Sequence, residues 1–237
     1  MKEISNSFEE GKVLLINKPL QWTSFDEPLQ WTSFDAVRKI RNLIRIKKVG
    51  HAGTLDPLAT GLLIICTGRF TKKINEYMAQ EKEYTGTFTL GATTPTYDLE
   101  SEPENFKSTD RINVELLKST TEKFMGEIMQ VPPAHSAIKV DGKRVYELAR
   151  QGKEVKLEPR KITIKEFEIT KVEMPMVHFK VVCSTGTYIR SLANDFGAAL
   201  GCGAYLSSLC RTRIGSFLLD DAMSIEGFEA SIKHIGP

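Results

Sequence analysis

Long apolar runs are missing from this chain. No stretch of its 237 residues approaches the roughly 20 apolar residues of a membrane-spanning helix, which excludes such a span. Met1 to Lys12 is polar and acidic and lacks the apolar core of a secretory leader, so the expected location is the cytoplasm. Cysteine is scarce. Cys66, Cys183, Cys202 and Cys210 form no C-x2-C pair, and His51, His135, His178 and His234 are scattered. That spacing argues against a zinc site and against a disulfide framework, and the thiols read as buried side chains in a reducing compartment. A large excess of one charge is also lacking, since the formal net charge is only +2.

Charge is separated along the chain rather than in bulk. Ala36 to Lys48 carries six basic residues (Arg38, Lys39, Arg41, Arg45, Lys47, Lys48) and no acid, and residues 143–161 carry seven basic residues against three acids. Acid collects in Asp98, Glu100, Glu102, Glu104 and Asp110. One phosphate-facing side would produce this separation, and so would solvated helix faces.

The coarse reading alternates strands and helices. Val13 to Ile16 and Leu62 to Cys66 read as buried strands, and Tyr84 to Leu90 as a strand rich in Thr and aromatics. Val37, Ile40, Leu43 and Ile44 fall at helical spacing within Ala36 to Ile46, with Ser33 or Asp35 available as cap. Phe70 to Met78 and Ile112 to Met125 read as helices, and residues 93–111 as a long exposed loop. Asp141-Gly142 signals a turn leading into a basic helix over Val145 to Gln151. Lys161 to Val172 and Val177 to Ser184 read as paired strands, and Thr187 as the cap of a helix ended by Gly201. Without a regular βαβ beat, this pattern predicts the α+β class with a mixed sheet.

Residues 19–26 recur identically as residues 28–35, PLQWTSFD in both cases. An offset of nine is too short for a solenoid unit; a recent tandem duplication or an artefact of the sequence would give this repeat, and one copy is extra surface loop. Either Trp22 or Trp31 could hold the packed position.

The densest signal for chemistry is Gly50-His51-Ala52-Gly53-Thr54-Leu55-Asp56-Pro57-Leu58-Ala59-Thr60-Gly61-Leu62-Leu63. Its glycines allow unusual backbone angles and close approach of a ligand. Pro57 biases Asp56 toward an extended, presented conformation. An isolated Asp-Pro more often just opens a turn, so the rest of the run carries the reading.

This run resembles the active-site motif of the TruB family, the synthases that make pseudouridine at position 55 in the tRNA T-arm. Further blocks follow in family order. Asn17-Lys18-Pro19 resembles the N-terminal Lys-Pro motif, and Glu83-Tyr84 the tyrosine segment. Pro132-Pro133 through Ser136-Ala137-Ile138-Lys139 and Gly142-Lys143-Arg144-Val145-Tyr146 resembles an RNA-gripping thumb. Cys183 through Leu192 resembles the arginine motif, and Gly201-Cys202-Gly203-Ala204 with Leu209 the last pocket segment.

The resemblance implies a pseudouridine-synthase-like fold with a mixed, largely antiparallel central sheet flanked by helices and loops. It implies one catalytic domain over residues 1–237 with a thumb-like insertion over residues 131–158. Many bacterial relatives carry a further PUA-type domain, for which the residues after Ser216 are too few, so a short form is expected. Asp56 is then the essential carboxylate; attack on the sugar, attack on the base and abstraction of a sugar proton all fit. It must be ionised in a dry pocket, and the cation that opposes desolvation is Arg190, whose guanidinium stays charged and can offer parallel donors. Tyr84 stacks on the target base and is placed to help move the C5 proton. His51 contacts RNA beside the extruded base, Leu209 forms pocket wall, and Lys18, Lys139, Lys143 and Arg144 contact RNA. The reaction implies no cofactor and no metal; the expected partner is tRNA through its T-arm, bound by a monomer. The competing expectations are a tRNA-folding helper with little or no isomerase activity, and the same chemistry on another RNA.

Overall fold

The computed structural model describes residues 7–22, 28–29, 31–134, 139–140, 143–144 and 157–233. A helical turn at residues 7–10 precedes β1 (Val13–Lys18), and the short strands β2 (Gln21–Trp22) and β3 (Pro28–Leu29) pair with each other. Next come α1 (Ser33–Ile44), β4 (Val49–His51) and β5 (Thr60–Thr67). A 3-10 turn over Gly68–Lys73 runs into α2 (Ile74–Ala79), followed by β6 (Lys82–Leu90), α3 (Val114–Glu122) and β7 (Gly126–Gln130). The pair β8 (Lys139–Val140) and β9 (Lys143–Arg144) precedes β10 (Arg160–Glu173), β11 (Met176–Cys183) and α4 (Ile189–Leu200). The chain closes with β12 (Ala204–Ile214), β13 (Phe217–Leu218) and α5 (Ile225–Lys233). No helix of the described residues is long and apolar enough to cross a membrane.

The chain divides into two compact units, residues 1–84 with 209–237 and residues 85–208. Strands β6 and β12 run from one into the other. In the first unit, β5 is the centre: all of its residues after Thr60 are buried. It pairs antiparallel with β1 (Ile16 opposite Leu63) and with β4, and parallel with β12 (Arg211 opposite Gly61). A parallel ladder beside antiparallel ones makes the sheet mixed. Gly61 has φ +101°, and a Cβ there would meet the Arg211 carbonyl oxygen at 2.4 Å, so only glycine lets β5 lie this close to β12. Leu62, Ile64, Cys66, Ile214 and Ala52 form a fully buried cluster, and burial pushes the Cys66 thiol up to about 11. Cys183 and Cys202 are likewise buried thiols, and Cys210 is half-buried.

Helix α1 packs its buried Ala36, Val37, Ile40 and Ile44 against β4 and α5, the face that the apolar spacing predicted. Its cap is Thr32 rather than Ser33 or Asp35. The Thr32 hydroxyl accepts from the Asp35 N–H, and the Asp35 carboxylate accepts from the Thr32 N–H, a complete capping box. The second copy of the duplicated segment therefore supplies the start of α1.

In the second unit the order is β12–β6–β11–β10–β7, with α3 packed on β10 and α4. Its core is aromatic. Phe88 stacks on Phe179 at 4.1 Å between ring centroids, Phe167 and Phe196 pack on the pair edge-on or tilted, and Phe124 packs edge-on against those two.

Several expectations shift. The glycine-rich loop contains strand β4, and the helix predicted over Phe70 to Met78 is a 3-10 turn followed by short α2. Helix α3 is narrower than Ile112 to Met125, and a turn over residues 123–125 leads into β7, which alternation did not reveal. Thr187 does not cap α4: the N-cap is Tyr188, and the Thr187 hydroxyl donates to the Ser184 carbonyl. The loop at 93–111 is not simply exposed, since Thr94, Thr96 and Asp98 are buried. The predicted basic helix over Val145 to Gln151 and the Asp141-Gly142 turn lie outside the described residues.

Candidate active site

The loop carrying Asp56 is held from three directions within the first unit. On its N-terminal side, Arg211 reaches from β12, 1% exposed. Its Nε donates to the Leu62 carbonyl (2.8 Å), and its terminal nitrogens donate to the carbonyls of Gly53 (3.2 Å) and Thr54 (3.4 Å). In the middle, the buried Ser33 hydroxyl accepts from the Leu55 N–H (2.8 Å) and donates to the Leu55 carbonyl (3.2 Å). On the C-terminal side, Lys18 at the end of β1 is fully buried, and its Nζ donates to the carbonyls of Pro57 (3.0 Å) and Ala59 (2.5 Å). The loop closes on itself through the Ala59 N–H to Asp56 carbonyl bond (3.0 Å). Backbone carbonyls that would otherwise be orphaned are thus satisfied by two buried cations and a hydroxyl.

Asp56 itself is half-buried at the centre of this frame. Burial lowers Lys18 from 10.5 to about 8, and the charge of Asp56 works the other way, holding the ammonium protonated. As placed, Lys18 is fully buried and supports the Asp56 loop. His51 lies half-buried on β4. Burial and, less strongly, Arg211 hold its pKa below the ordinary 6.5 against a backbone contact to Gly53, so its ring is neutral at pH 7.

Tyr84 sits on β6, two strands from β5 in the order β5–β12–β6, and is 9% exposed. Its neighbour Glu83 accepts from the Thr212 hydroxyl (2.7 Å) and lies 3.8 Å from the Arg213 guanidinium, which fixes the start of β6. Leu209 on β12 is half-buried, and its carbonyl accepts from the Thr60 hydroxyl (3.2 Å) where β5 leaves the loop.

Arg190 belongs to the second unit, in the first turn of α4, and is 5% exposed. Its Nη1 donates to the Thr96 carbonyl (3.3 Å) and lies 3.5 Å from the Asp98 carboxylate, itself buried. Thr94 and Thr96 hydroxyls donate to the Asp98 carbonyl, which ties the segment into a compact cradle. The structure therefore gathers Asp56, His51, Lys18, Tyr84 and Leu209 into one unit and sets Arg190 beside Asp98 in the other.

The basic run at 38–48 is not uniform. Arg38 pairs with Asp35 (2.7 Å), Lys39 with Glu229 (2.9 Å), and Arg41 donates to the Val49 carbonyl. Arg45, Lys47 and Lys48 instead line a cavity of about 720 Å³ with Arg69, faced by Glu9 and Glu10. The backbones of β8 and β9 pair, with Lys139 opposite Arg144 and Val140 opposite Lys143. The side chains of Lys139, Lys143 and Arg144, and most of the thumb-like insertion, lie outside the described residues.

Nothing in the sequence indicated that Arg211, Ser33 and Asp98 hold the site residues. Arg211 follows Leu209 by two residues in an Arg-Thr-Arg run that reads as surface, and Asp98 sits among solvated-looking acids.

The mixed sheet and its flanking helices have the pseudouridine-synthase fold, shared with solved structures that match nearly the whole chain. Among solved structures, a Cbf5-Nop10-Gar1 complex matches with a TM-score of 0.72 at 27% identity, covering 96% of this chain. An H/ACA RNP bound to a substrate RNA containing 2'-deoxyuridine matches with a TM-score of 0.68 at 25% identity, covering 97%. This chain spans 56% and 55% of those chains.

The chain belongs to the TruB family: the model of the TruB family pseudouridylate synthase N-terminal domain matches residues 41–189. The model of the tRNA pseudouridylate synthase B C-terminal domain matches residues 190–234. A protein of Flavobacterium johnsoniae named tRNA pseudouridine synthase B is 54% identical over 231 residues, covering 94% of this chain and 97% of its own length. Its namesake in Phocaeicola vulgatus is 50% identical over 228 residues, covering 94% and 93%.

Proposed function

We propose that this protein isomerises uridine to pseudouridine at position 55 in the tRNA T-arm, with Asp56 as the essential carboxylate. The carrying observation is the frame around Asp56, in which Arg211, Ser33 and Lys18 immobilise the loop on both sides of one half-buried carboxylate. Such a frame suits preorganised chemistry, where the reacting group meets its substrate without reorganising. The names of the relatives support tRNA as substrate, and the RNA-bound H/ACA neighbour supports RNA in general.

The reaction breaks the N1–C1′ bond, turns the freed uracil and rejoins it through C5. Atoms and oxidation states balance without any second reactant. What the protein has to supply is an ionised carboxylate, a closed space that retains the base and an acceptor for the C5 proton. The uridine must first leave its stack, at a cost of a few kcal/mol. Stacking on Tyr84 returns about 1–3 kcal/mol, so the tyrosine offsets much of the flip. Leu209 excludes water beside it, and neutral His51 contacts RNA next to the everted nucleotide.

Arg190 is the cation of the arginine motif, its guanidinium oriented by Asp98 and Thr96. Arg45, Lys47, Lys48 and Arg69, with Lys139, Lys143 and Arg144 in the insertion at 131–158, hold phosphates and set the register of the RNA. We read residues 1–237 as one catalytic domain acting as a monomer in the cytoplasm.

The test is incubation of the purified chain with an unmodified tRNA transcript, mapping pseudouridine by carbodiimide-blocked primer extension. Wild type should modify the T-loop uridine without additives. Asp56→Asn should abolish product while tRNA still binds. Product formation by Asp56→Asn would overturn the assignment, and binding without product in wild type would make the protein a tRNA-folding helper.

A further inference from the structure

Helix α4 begins in an unusual way. Its N-cap, Tyr188, provides no side-chain cap for the orphan groups of the first turn. The missing partner comes from β7. Gln130, 2% exposed, accepts from the Tyr188 N–H through Oε1 (2.8 Å) and donates from Nε2 to the Tyr188 carbonyl (3.0 Å). The side-chain amide so mimics a strand partner and closes a ring with one backbone residue. A third bond runs back the other way: the Ser191 hydroxyl, 1% exposed, donates to the Val131 carbonyl (2.7 Å). Arg190 lies between Tyr188 and Ser191, so both bonded residues flank it.

The location of the clasp matters more than its strength. Gln130 and Val131 are where the chain enters the segment at 131–158, and Arg160, where it re-emerges as β10, is the direct sheet partner of Gln130. Both ends of that segment thus converge on the residue that caps the Arg190 turn. On the other side, Arg190 is held by Thr96 and Asp98. Its backbone is set by the insertion root and its guanidinium by the 94–98 cradle.

We infer that Gln130 and Ser191 are positioning residues that tie the root of the 131–158 segment to the turn carrying Arg190. A pull on the segment by bound RNA is delivered through β7 and the amide ring to the orientation of the guanidinium. This inference rests on the proposed reaction. It concerns residues that touch neither substrate nor reacting atoms.

The experiment uses full-length Gln130→Met and Ser191→Ala. Methionine keeps the length of the side chain without its donor and acceptor. Three quantities are measured: the single-turnover rate constant on unmodified tRNA, the tRNA Kd by filter binding, and the melting midpoint by circular dichroism. The rate constant should fall roughly tenfold or more in each variant, the size expected for one or two lost buried hydrogen bonds, while Kd stays within about twofold. A rate constant within about twofold of wild type overturns the inference. So does a rate loss matched by equal losses in Kd and in folded fraction, because a purely structural clasp would move all three together. Should Gln130→Met fail to fold, Ser191→Ala decides alone. An inactive wild type would refute the proposed reaction instead, which separates that failure from this one.

Discussion

Lys18 should make stability and activity move in opposite directions with pH. Its ammonium is fully buried, bonded to Pro57 and Ala59, and burial lowers its pKa from 10.5 to about 8. At about 1.4 kcal/mol per pH unit, keeping the charge buried costs the folded state about 3 kcal/mol below pH 8. Between 8 and 10.5 the folded protein has released the proton and the unfolded chain still holds it, so stability rises with pH across that window. Above 10.5 the effect is complete. Integrated over pH 7 to 9, the gain is about 1 kcal/mol.

The same deprotonation removes a positive charge next to Asp56 and weakens the grip on its loop. The single-turnover rate constant should therefore fall along a basic limb above pH 8, approaching about tenfold per pH unit. Urea unfolding of wild type and Lys18→Met at pH 7 and 9 isolates the group, because other titrations cancel in the difference. The wild-type curve should gain about 1 kcal/mol on the variant. A difference constant across the range, or a rate constant flat to pH 9, would refute the reasoning.

Two further outcomes follow from the frame and the duplication. Arg211→Met strips donors from the carbonyls of Leu62, Gly53 and Thr54; a loss of about 3 kcal/mol should lower the circular-dichroism midpoint by about 6–12 °C, and a wild-type midpoint would show that the guanidinium is no strut. Excising residues 19–27 joins Lys18 directly to Pro28 and keeps the copy that caps α1, so tRNA modification should persist at wild-type rate. An inactive excision variant would mean that the extra copy has a role of its own.

What the sequence revealed depends on how far each residue's partner lies along the chain. The stripe on α1 was legible because Val37, Ile40 and Ile44 bury against neighbours that any amphipathic helix would find. The cap was misplaced by a residue because Thr, Ser and Asp all suit that position, and only geometry shows Ser33 turned to Leu55 instead. The acidic loop was read as solvated because its composition is that of a solvated loop. Asp98 is buried because it meets Arg190, and Thr96 bonds that same residue 94 positions away.

Buried cations were the largest gap. Lys18 and Arg211 look like surface in any window, and their burial is explained only by the carbonyls they serve. The family motifs carried Asp56, Tyr84 and Arg190 into view, yet the residues that hold Asp56 and Arg190 came from the fold.

Both tryptophans, Trp22 and Trp31, lie in the duplicated stretch, within the residue range of the first unit, and the phenylalanine-filled second unit has none. Intrinsic indole emission is thus a local lamp. Loosening around Phe88 and Phe179 would leave it unchanged, and a fluorimeter would report an intact molecule. Amide exchange or the backbone ellipticity band sees both halves, which makes them the fitting optical and isotopic gauges for every variant in which the Arg190 helix is disturbed.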